Sequence, residues 1–197
     1  MSPMPRTPRN IILASQSPQR RQLLSDAGYD FAVIPPSAEA ECGICSRETP
    51  PEYAARLACQ KAKSVARSLP DGIVIGCDTI AECQGLILGK PRDERHAREM
   101  LELLRGREHR VYSGLCLWRR PCDAMAIDVA VTRLQMDTLS DAQVQEYVNS
   151  GQWQGKAGGF GLQDRLGWVH VLDGSPSNVV GLPLELLGRM LEQLDKR

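Results

Sequence analysis

An unbroken apolar run, Ile11-Ile12-Leu13-Ala14, stops at Ser15-Gln16-Ser17, and Pro18 follows at once. A short continuous apolar run ending in small polar residues reads as a buried strand. Ser17 then reads as an N-cap, Pro18 as the first helical residue and Gly28 as the stop signal of that helix. Strand, tight turn and helix within eighteen residues point to a sheet with helices packed on it.

The rest of the chain repeats the alternation. "YDFAVIPP" reads as a second strand ended by Pro35 and Pro36. Residues 37–50 read as a loop holding Glu39, Glu41 and Glu48 together with Cys42 and Cys45. "PEYAARLACQKAKSVARSL" is a helix, with Tyr53, Leu57, Ala58, Val65 and Leu69 near one face. "DGIVIGCDTI" is a buried strand expected to end at Asp78, and "AECQGLILGKP" a hairpin turning at Gln84-Gly85. After a helix closed by Gly106, "HRVYSGLCLWRR" and "AMAIDVAVTRLQM" are long enough to pair as antiparallel strands. A capped helix, the glycine-rich loop "GKAGGFGLQD", the strand "WVHVLDG" and the helix "LPLELLGRMLEQL" complete the chain. The expected fold class is α/β: a mixed twisted sheet with helices packed on it and a ligand cleft, as one domain over residues 11–197 behind a disordered tail at 1–10. Polar residues gather at strand ends and in loops, where open α/β folds place ligand sites.

Charge narrows the partners. Lys and Arg number 24 and so do Asp and Glu, so nothing argues for a nucleic-acid polymer or a membrane surface, and a basic site must be local. No apolar run approaches the ~18 residues that span a bilayer, and the first ten residues carry no apolar signal core. Seven cysteines, an odd number, fit a reduced, cytoplasmic chain. Cys42 and Cys45 form one CxxC without a second pair, and His96, His109 and His170 are scattered. Free thiols fit better than a structural zinc, which needs about four ligands.

Several stretches carry chemistry-bearing residues. The helix start at Ser15 to Arg21 offers unpaired N–H groups, hydroxyls and two arginines, which suits a phosphate and equally suits an ordinary N-cap with solvent-facing arginines. Asp78 could orient a water or hold a divalent cation, or it could simply form a turn. Lys90 falls in a turn. Lys61 either sits on the apolar face of its helix or snorkels to solvent. In the glycine-rich loop, Lys156 and Gln163 flank four glycines between Gly155 and Gly161, which call for close backbone approach or positive φ. Gln163 offers a donor and an acceptor to a base edge. "DGSPSNVVGLPL" places Gly174, Ser175 and Asn178 in a turn before the last helix and reads mainly as structure. GxxxxGK[ST], a strand-linked GxGxxG and GxSxG are all missing from the sequence. What remains suits a polyanionic small molecule handled with a metal.

Taken in order, "LASQSPQRRQLL", "RLACQKA", "VIGCDTI", "LGKPRDERHAREMLELLRGREHRVYSG", "GKAGGFGLQ" and "GSPSNVVGLPL" resemble the motifs of the Maf family of nucleotide pyrophosphatases. The family patterns are "LASxSPRR…LL", a helix with its lysine, "GADT", "GKP" through "LSGxxHxVxTG", "DKAGxYGIQ" and "GxxxNVVGLPL". The resemblance spans about Ile11 to Leu191. It implies an α/β fold akin to the inosine-triphosphate pyrophosphatase class. It also implies hydrolysis of nucleoside triphosphates to a monophosphate and pyrophosphate with Mg²⁺ or Mn²⁺, in a cytoplasmic enzyme that is often a homodimer. The family's proton acceptor falls on Asp78, and its phosphate-binding groups fall on Ser15, Arg20, Lys61 and Lys90. The metal would be held by Asp78 with Glu39 or Glu41.

Three positions sort the family by base, and here they are Gln19, Thr79 and Gln163. Thr79 and Gln163 match the type that prefers dTTP and UTP. Gln19 stands where that type has arginine and where the 7-methyl-GTP type has an aromatic residue. The last glutamate of the family's acidic turn falls on Ala40, between Glu39 and Glu41, and its aspartate before Lys156 is Gly155. The resemblance therefore implies a dTTP/UTP pyrophosphatase. A 7-methyl-GTP or broad pyrophosphatase and a nucleotide-binding regulator of septum formation with little turnover are the alternatives.

Overall fold

The computed structural model describes residues 10–41, 45, 47–164 and 166–196. Most of the expected tail and Cys42 lie outside them. Seven strands form one sheet: β1 (Ile11–Ala14), β2 (Phe31–Val33), β3 (Gly72–Cys83), β4 (Leu86–Leu88), β5 (Glu108–Arg120), β6 (Ala124–Met136) and β7 (Val169–Asp173). The helices are α1 (Pro18–Asp26), α2 (Pro50–Ala66), α3 (Glu94–Leu104), α4 (Asp141–Asn149), α5 (Pro176–Val180) and α6 (Leu184–Asp195). The strand order is β2-β1-β3-β5-β6-β7, with β4 on β3. β1 runs parallel to β2 and β3, and the other pairings are antiparallel. The mixed α/β sheet expected from the alternation is what forms.

Side-chain alternation along the central strands builds two cores. Ile11, Leu13, Ile73, Ile75, Leu115 and Leu117 face α1 and α6, while Ile12, Ala14, Val74 and Cys116 face α2. α6 contributes Leu187, Leu191 and Leu194 at helical spacing, and burial of each stabilises by roughly 2 kcal/mol. A third cluster joins α3, α4 and the glycine-rich loop to the far ends of β3 and β5 through Leu101, Leu104, Val111, Tyr147 and Phe160.

α2 approaches the sheet unusually closely because β3 and β5 present glycines to it. A Cβ on Gly76 would lie 2.2 Å from the Ala58 carbonyl oxygen, and one on Gly114 would lie 2.2 Å from that of Ala54. Only residues without a side chain permit such backbone contact. The helix starts with a Thr49–Glu52 capping box and two prolines, as its sequence dictates.

Two local expectations change. β3 does not end at Asp78 but runs on to Cys83, because Ile80 and Ala81 continue the apolar pattern into the hairpin at Gln84-Gly85. The segment "SPSNVV" forms a short helix, α5, capped by Ser175.

Candidate active site

β1 pairs with β3 only as far as Ala14 opposite Gly76, and β4 joins β3 from Ala81 onward. Between these pairings β3 is open on one edge at Cys77-Asp78-Thr79-Ile80, at the point where β1 turns away into α1. A cleft of about 550 Å³ opens there. Ligand sites of open α/β sheets lie where the chain leaves the carboxyl end of a strand. The β1–α1 turn, residues 36–38, Lys90 and the glycine-rich loop supply the walls, and Asp78 and Thr79 reach it from the sheet.

Asp78 and Thr79 point to opposite sides of the sheet, as successive strand residues do. Asp78 meets Lys61, whose Nζ lies 2.6 Å from Oδ1. Lys61 follows Leu57 by four residues and so lies on the buried face of α2, where it is only 4% exposed. The sequence left open whether it was buried or snorkelled, and it is buried and ion-paired.

Thr79 meets Arg20. Arg20 Nε donates to the Gly181 carbonyl at 2.8 Å, Nη1 to Ser15 Oγ at 3.3 Å and Nη2 to Thr79 Oγ1 at 3.2 Å. All three acceptors are neutral, so the guanidinium charge is not cancelled by these partners and donors remain for an anion. Ser15 Oγ also accepts from the Ser17 amide at 3.1 Å. Ser17 caps α1 by accepting from the Arg20 amide and donates to Gln19 Oε1 at 3.0 Å. That contact fixes the Gln19 amide at the cleft wall. Arg21, one step along the helix, is exposed.

Behind Thr79 lies a buried polar chain. Ser113 Oγ is 2.8 Å from Thr79 Oγ1 and 3.3 Å from the Asn178 carbonyl. Asn178 Nδ2 donates to the Val111 carbonyl and to Thr132 Oγ1 at 3.1 and 2.9 Å. The Cys77 thiol, pushed up in pKa by burial, donates to the Gly181 carbonyl.

The glycine-rich loop closes the opposite wall. The Gly158 amide donates to the Gly89 carbonyl at 2.9 Å, tying the loop to the turn that carries Lys90. Lys156 pairs with Asp164 Oδ1, and Tyr147 donates to Asp164 Oδ2 at 2.7 Å. Burial, with the Asp164 hydrogen bond, pushes the Tyr147 phenol up. Gln163 is exposed at the rim, its amide lying over Gly161. Among the described residues, Arg20, Lys61, Lys90 and Lys156 line the cleft, and with Lys61 paired to Asp78 and Lys156 to Asp164 the excess charge is that of Arg20 and Lys90. That excess of positive charge favours a polyanion.

Ser15, Arg20, Lys61, Asp78 and Lys90 thus converge on one cleft, and Gln19, Thr79 and Gln163 line it as well. Glu39 does not: it is exposed and outside the lining, because the short 3-10 turn Ala38–Glu41 buries Ala40 instead. The Glu41 side chain and Cys42 are outside the described part. No group of three or more His, Cys, Asp or Glu that could hold a metal is found among the described residues. A hard cation such as Mg²⁺ takes one or two carboxylates and fills its shell with water and substrate phosphate oxygens. Asp78 fits a cation shared with a bound polyphosphate. Sequence reasoning missed Ser113 and Asn178 as parts of the site. A small hydroxyl inside a long apolar strand, and an asparagine in a turn, are common enough to carry no signal until the strands are paired.

A family model described as Maf-like protein matches residues 10–194. The chain belongs to the Maf family. A protein of Rhodopirellula baltica named dTTP/UTP pyrophosphatase is 54% identical to this Maf chain over 190 residues, covering 96% of this chain and 84% of the relative. One of Clostridium botulinum with the same name is 38% identical over 190 residues, covering 94% and 97%. Among solved structures, a HAM1 protein from Coxiella burnetii matches with a TM-score of 0.47 at 19% identity, over 94% of the Maf chain and 99% of its own. No helix among the described residues is long and apolar enough to cross a membrane.

Proposed function

We propose that this chain is a nucleoside triphosphate pyrophosphatase that prefers dTTP and UTP, releases the monophosphate and pyrophosphate, and works with Mg²⁺ or Mn²⁺. The observation that carries the reading is the Lys61–Asp78 pair beside Arg20 and Lys90 in one cleft. The names of the relatives support the reaction and the base preference.

Arg20, Lys90 and Ser15 receive the phosphates, and Lys61 adds charge beside the reacting phosphoryl group. Asp78 accepts a proton from the attacking water as its oxygen bonds to phosphorus. Attack at the α-phosphorus breaks its bond to the α–β bridging oxygen, which leaves on pyrophosphate, while attack at the β-phosphorus breaks the other bond to that oxygen, which then leaves on the monophosphate; both give the same two products. Lys61 fixes the carboxylate's direction through the 2.6 Å contact of its Nζ with Oδ1. The cation, held by Asp78 and phosphate oxygens, would neutralise charge on the triphosphate. Gln19, Gln163 and Gln154 present amides at the cleft wall, which can match the alternating carbonyl and N–H groups of a pyrimidine edge.

The test is pyrophosphate release from dTTP, UTP, CTP, GTP and 7-methyl-GTP with Mg²⁺ or Mn²⁺, with Asp78→Asn alongside. Release from dTTP and UTP that is lost in the variant is the expected result. Preference for 7-methyl-GTP would overturn the base assignment. Nucleotide binding without turnover would overturn the enzyme reading.

A further inference from the structure

Ser113 stands directly opposite Thr79 in the β3–β5 register, is fully buried, and its hydroxyl hydrogen-bonds to Thr79 and to the α5 backbone. Its hydroxyl lies 2.8 Å from Thr79 Oγ1. Thr79 Oγ1 has two further neighbours, Arg20 Nη2 at 3.2 Å and the Gly181 carbonyl at 3.3 Å. A hydroxyl has one hydrogen and two lone pairs. Arg20 can only donate, so it occupies one lone pair. The single hydrogen goes to Gly181, with Ser113 donating into the second lone pair, or it goes to Ser113, which then donates to the Asn178 carbonyl. In both arrangements the Thr79 hydrogen stays inside the protein.

Thr79 therefore has no donor to offer a base carbonyl without giving up an internal bond. What it does offer is a fixed acceptor for Arg20. The same α5 turn that supplies Gly181 to Arg20 Nε supplies Asn178 to Ser113. Arg20 is thus held from three sides, and one of those sides depends on Ser113. We propose that Ser113 is a positioning residue that sets the Thr79 hydroxyl, and that Thr79 so set anchors Arg20 on the phosphates.

The proposal rests on the triphosphate reading of the cleft, and the experiment separates the two. Ser113→Ala, Ser113→Thr, Thr79→Val and the double variant Thr79→Val/Ser113→Ala are compared with wild type. Steady-state kinetics are measured on dTTP, UTP and CTP, and inorganic tripolyphosphate, which has no base, is titrated calorimetrically. Melting temperatures run in parallel to confirm folding. Ser113→Ala is expected to raise KM for every nucleotide by about fivefold, the worth of one neutral hydrogen bond, with kcat within about twofold and the order of bases unchanged. Tripolyphosphate affinity should fall by the same factor. Ser113→Thr keeps the hydroxyl and should restore both. The double variant should be no worse than Thr79→Val alone, because Ser113 acts through Thr79.

A changed base order with unchanged tripolyphosphate affinity would overturn the proposal in favour of base reading by Thr79. Additive losses in the double variant, or no change in either quantity in Ser113→Ala, would overturn it as well. If wild type releases no pyrophosphate from any nucleotide, the proposed function falls. The tripolyphosphate titration still decides whether Ser113 holds Arg20, and wild type that fails to bind tripolyphosphate overturns both.

Discussion

Lys61 Nζ lies 2.6 Å from Asp78 Oδ1, and the two side chains are only 5% and 13% exposed. The contact joins a helix to the middle of a strand at the one stretch of β3 that neither β1 nor β4 covers. An ion pair withdrawn from water is a costly arrangement unless each charge serves the other. Here the ammonium holds the carboxylate in place at the mouth of a positive cleft, so the pair supplies both a proton acceptor and local charge.

Asp78→Asn is expected to lower kcat for dTTP by about 10²–10⁴-fold, the usual worth of a general base. It is also expected to destabilise the fold, because the buried ammonium of Lys61 loses the carboxylate it contacts. Lys61→Met should destabilise as well. The double variant should cost less than the sum of the singles by about 1 kcal/mol or more, since the pair can be lost only once. Urea titrations of the three variants measure this, and strict additivity would show that the pair contributes nothing through its partner.

The fold and most of the cleft were legible in the sequence for identifiable reasons. Ser17-Pro18 is a local signal, and the helix it opens has its cap where the sequence put it. The Gln84-Gly85 hairpin is equally local, with positive φ at both residues. The change of polarity at Asp78 reads as a strand end, because sequence shows polarity and not pairing. The strand continues, and it is the sheet's edge that opens there. Glu39 stood as a metal ligand only through the family's acidic turn, whose last glutamate falls on Ala40, and the turn that carries it here exposes it. Ser113 and Asn178 lie inside stretches that carry the family resemblance, but their roles come from partners 34 and 65 residues away in sequence.

Gly114 is a second point where the site depends on backbone. A Cβ there would meet the Ala54 carbonyl oxygen at 2.2 Å and the Ala55 nitrogen at 2.6 Å, atoms that move only if α2 moves. Gly114→Ala should therefore cost about 1–3 kcal/mol and lower kcat, because displacement of α2 carries Lys61 away from Asp78. Gly188→Ala on α6, where nothing lies within 4 Å of the new methyl, should instead stabilise by about 0.5–1 kcal/mol. Thermal melts of the two variants give opposite signs if the close approach of α2 is what matters. A neutral Gly114→Ala with full activity would remove that link.

His109 sets an acid limit on the glycine-rich loop. It is buried, its Nδ1 contacts the Arg107 carbonyl at 3.3 Å, and its Nε2 is buried without a partner among the described residues. The ring packs edge-on against Phe160 of the loop with centroids 5.1 Å apart. Burial holds its pKa below the ordinary 6.5, against a smaller upward pull from the Arg107 carbonyl and Glu82. The folded state therefore binds fewer protons than the unfolded state below pH 6.5. The stabilisation is complete above that value and is lost as pH falls toward the folded pKa, with a slope of at most about 1.4 kcal/mol per pH unit. Glu48, held at about 2 by the Arg56 guanidinium, adds its own loss around and below its unfolded value of 4.5, so as pH falls the loss from His109 comes before that from Glu48. Urea midpoints should begin to fall below pH 6.5 in wild type and only in the Glu48 range in His109→Phe, which fills the space without a titrating nitrogen. The same decline in both proteins would assign the acid sensitivity to another group.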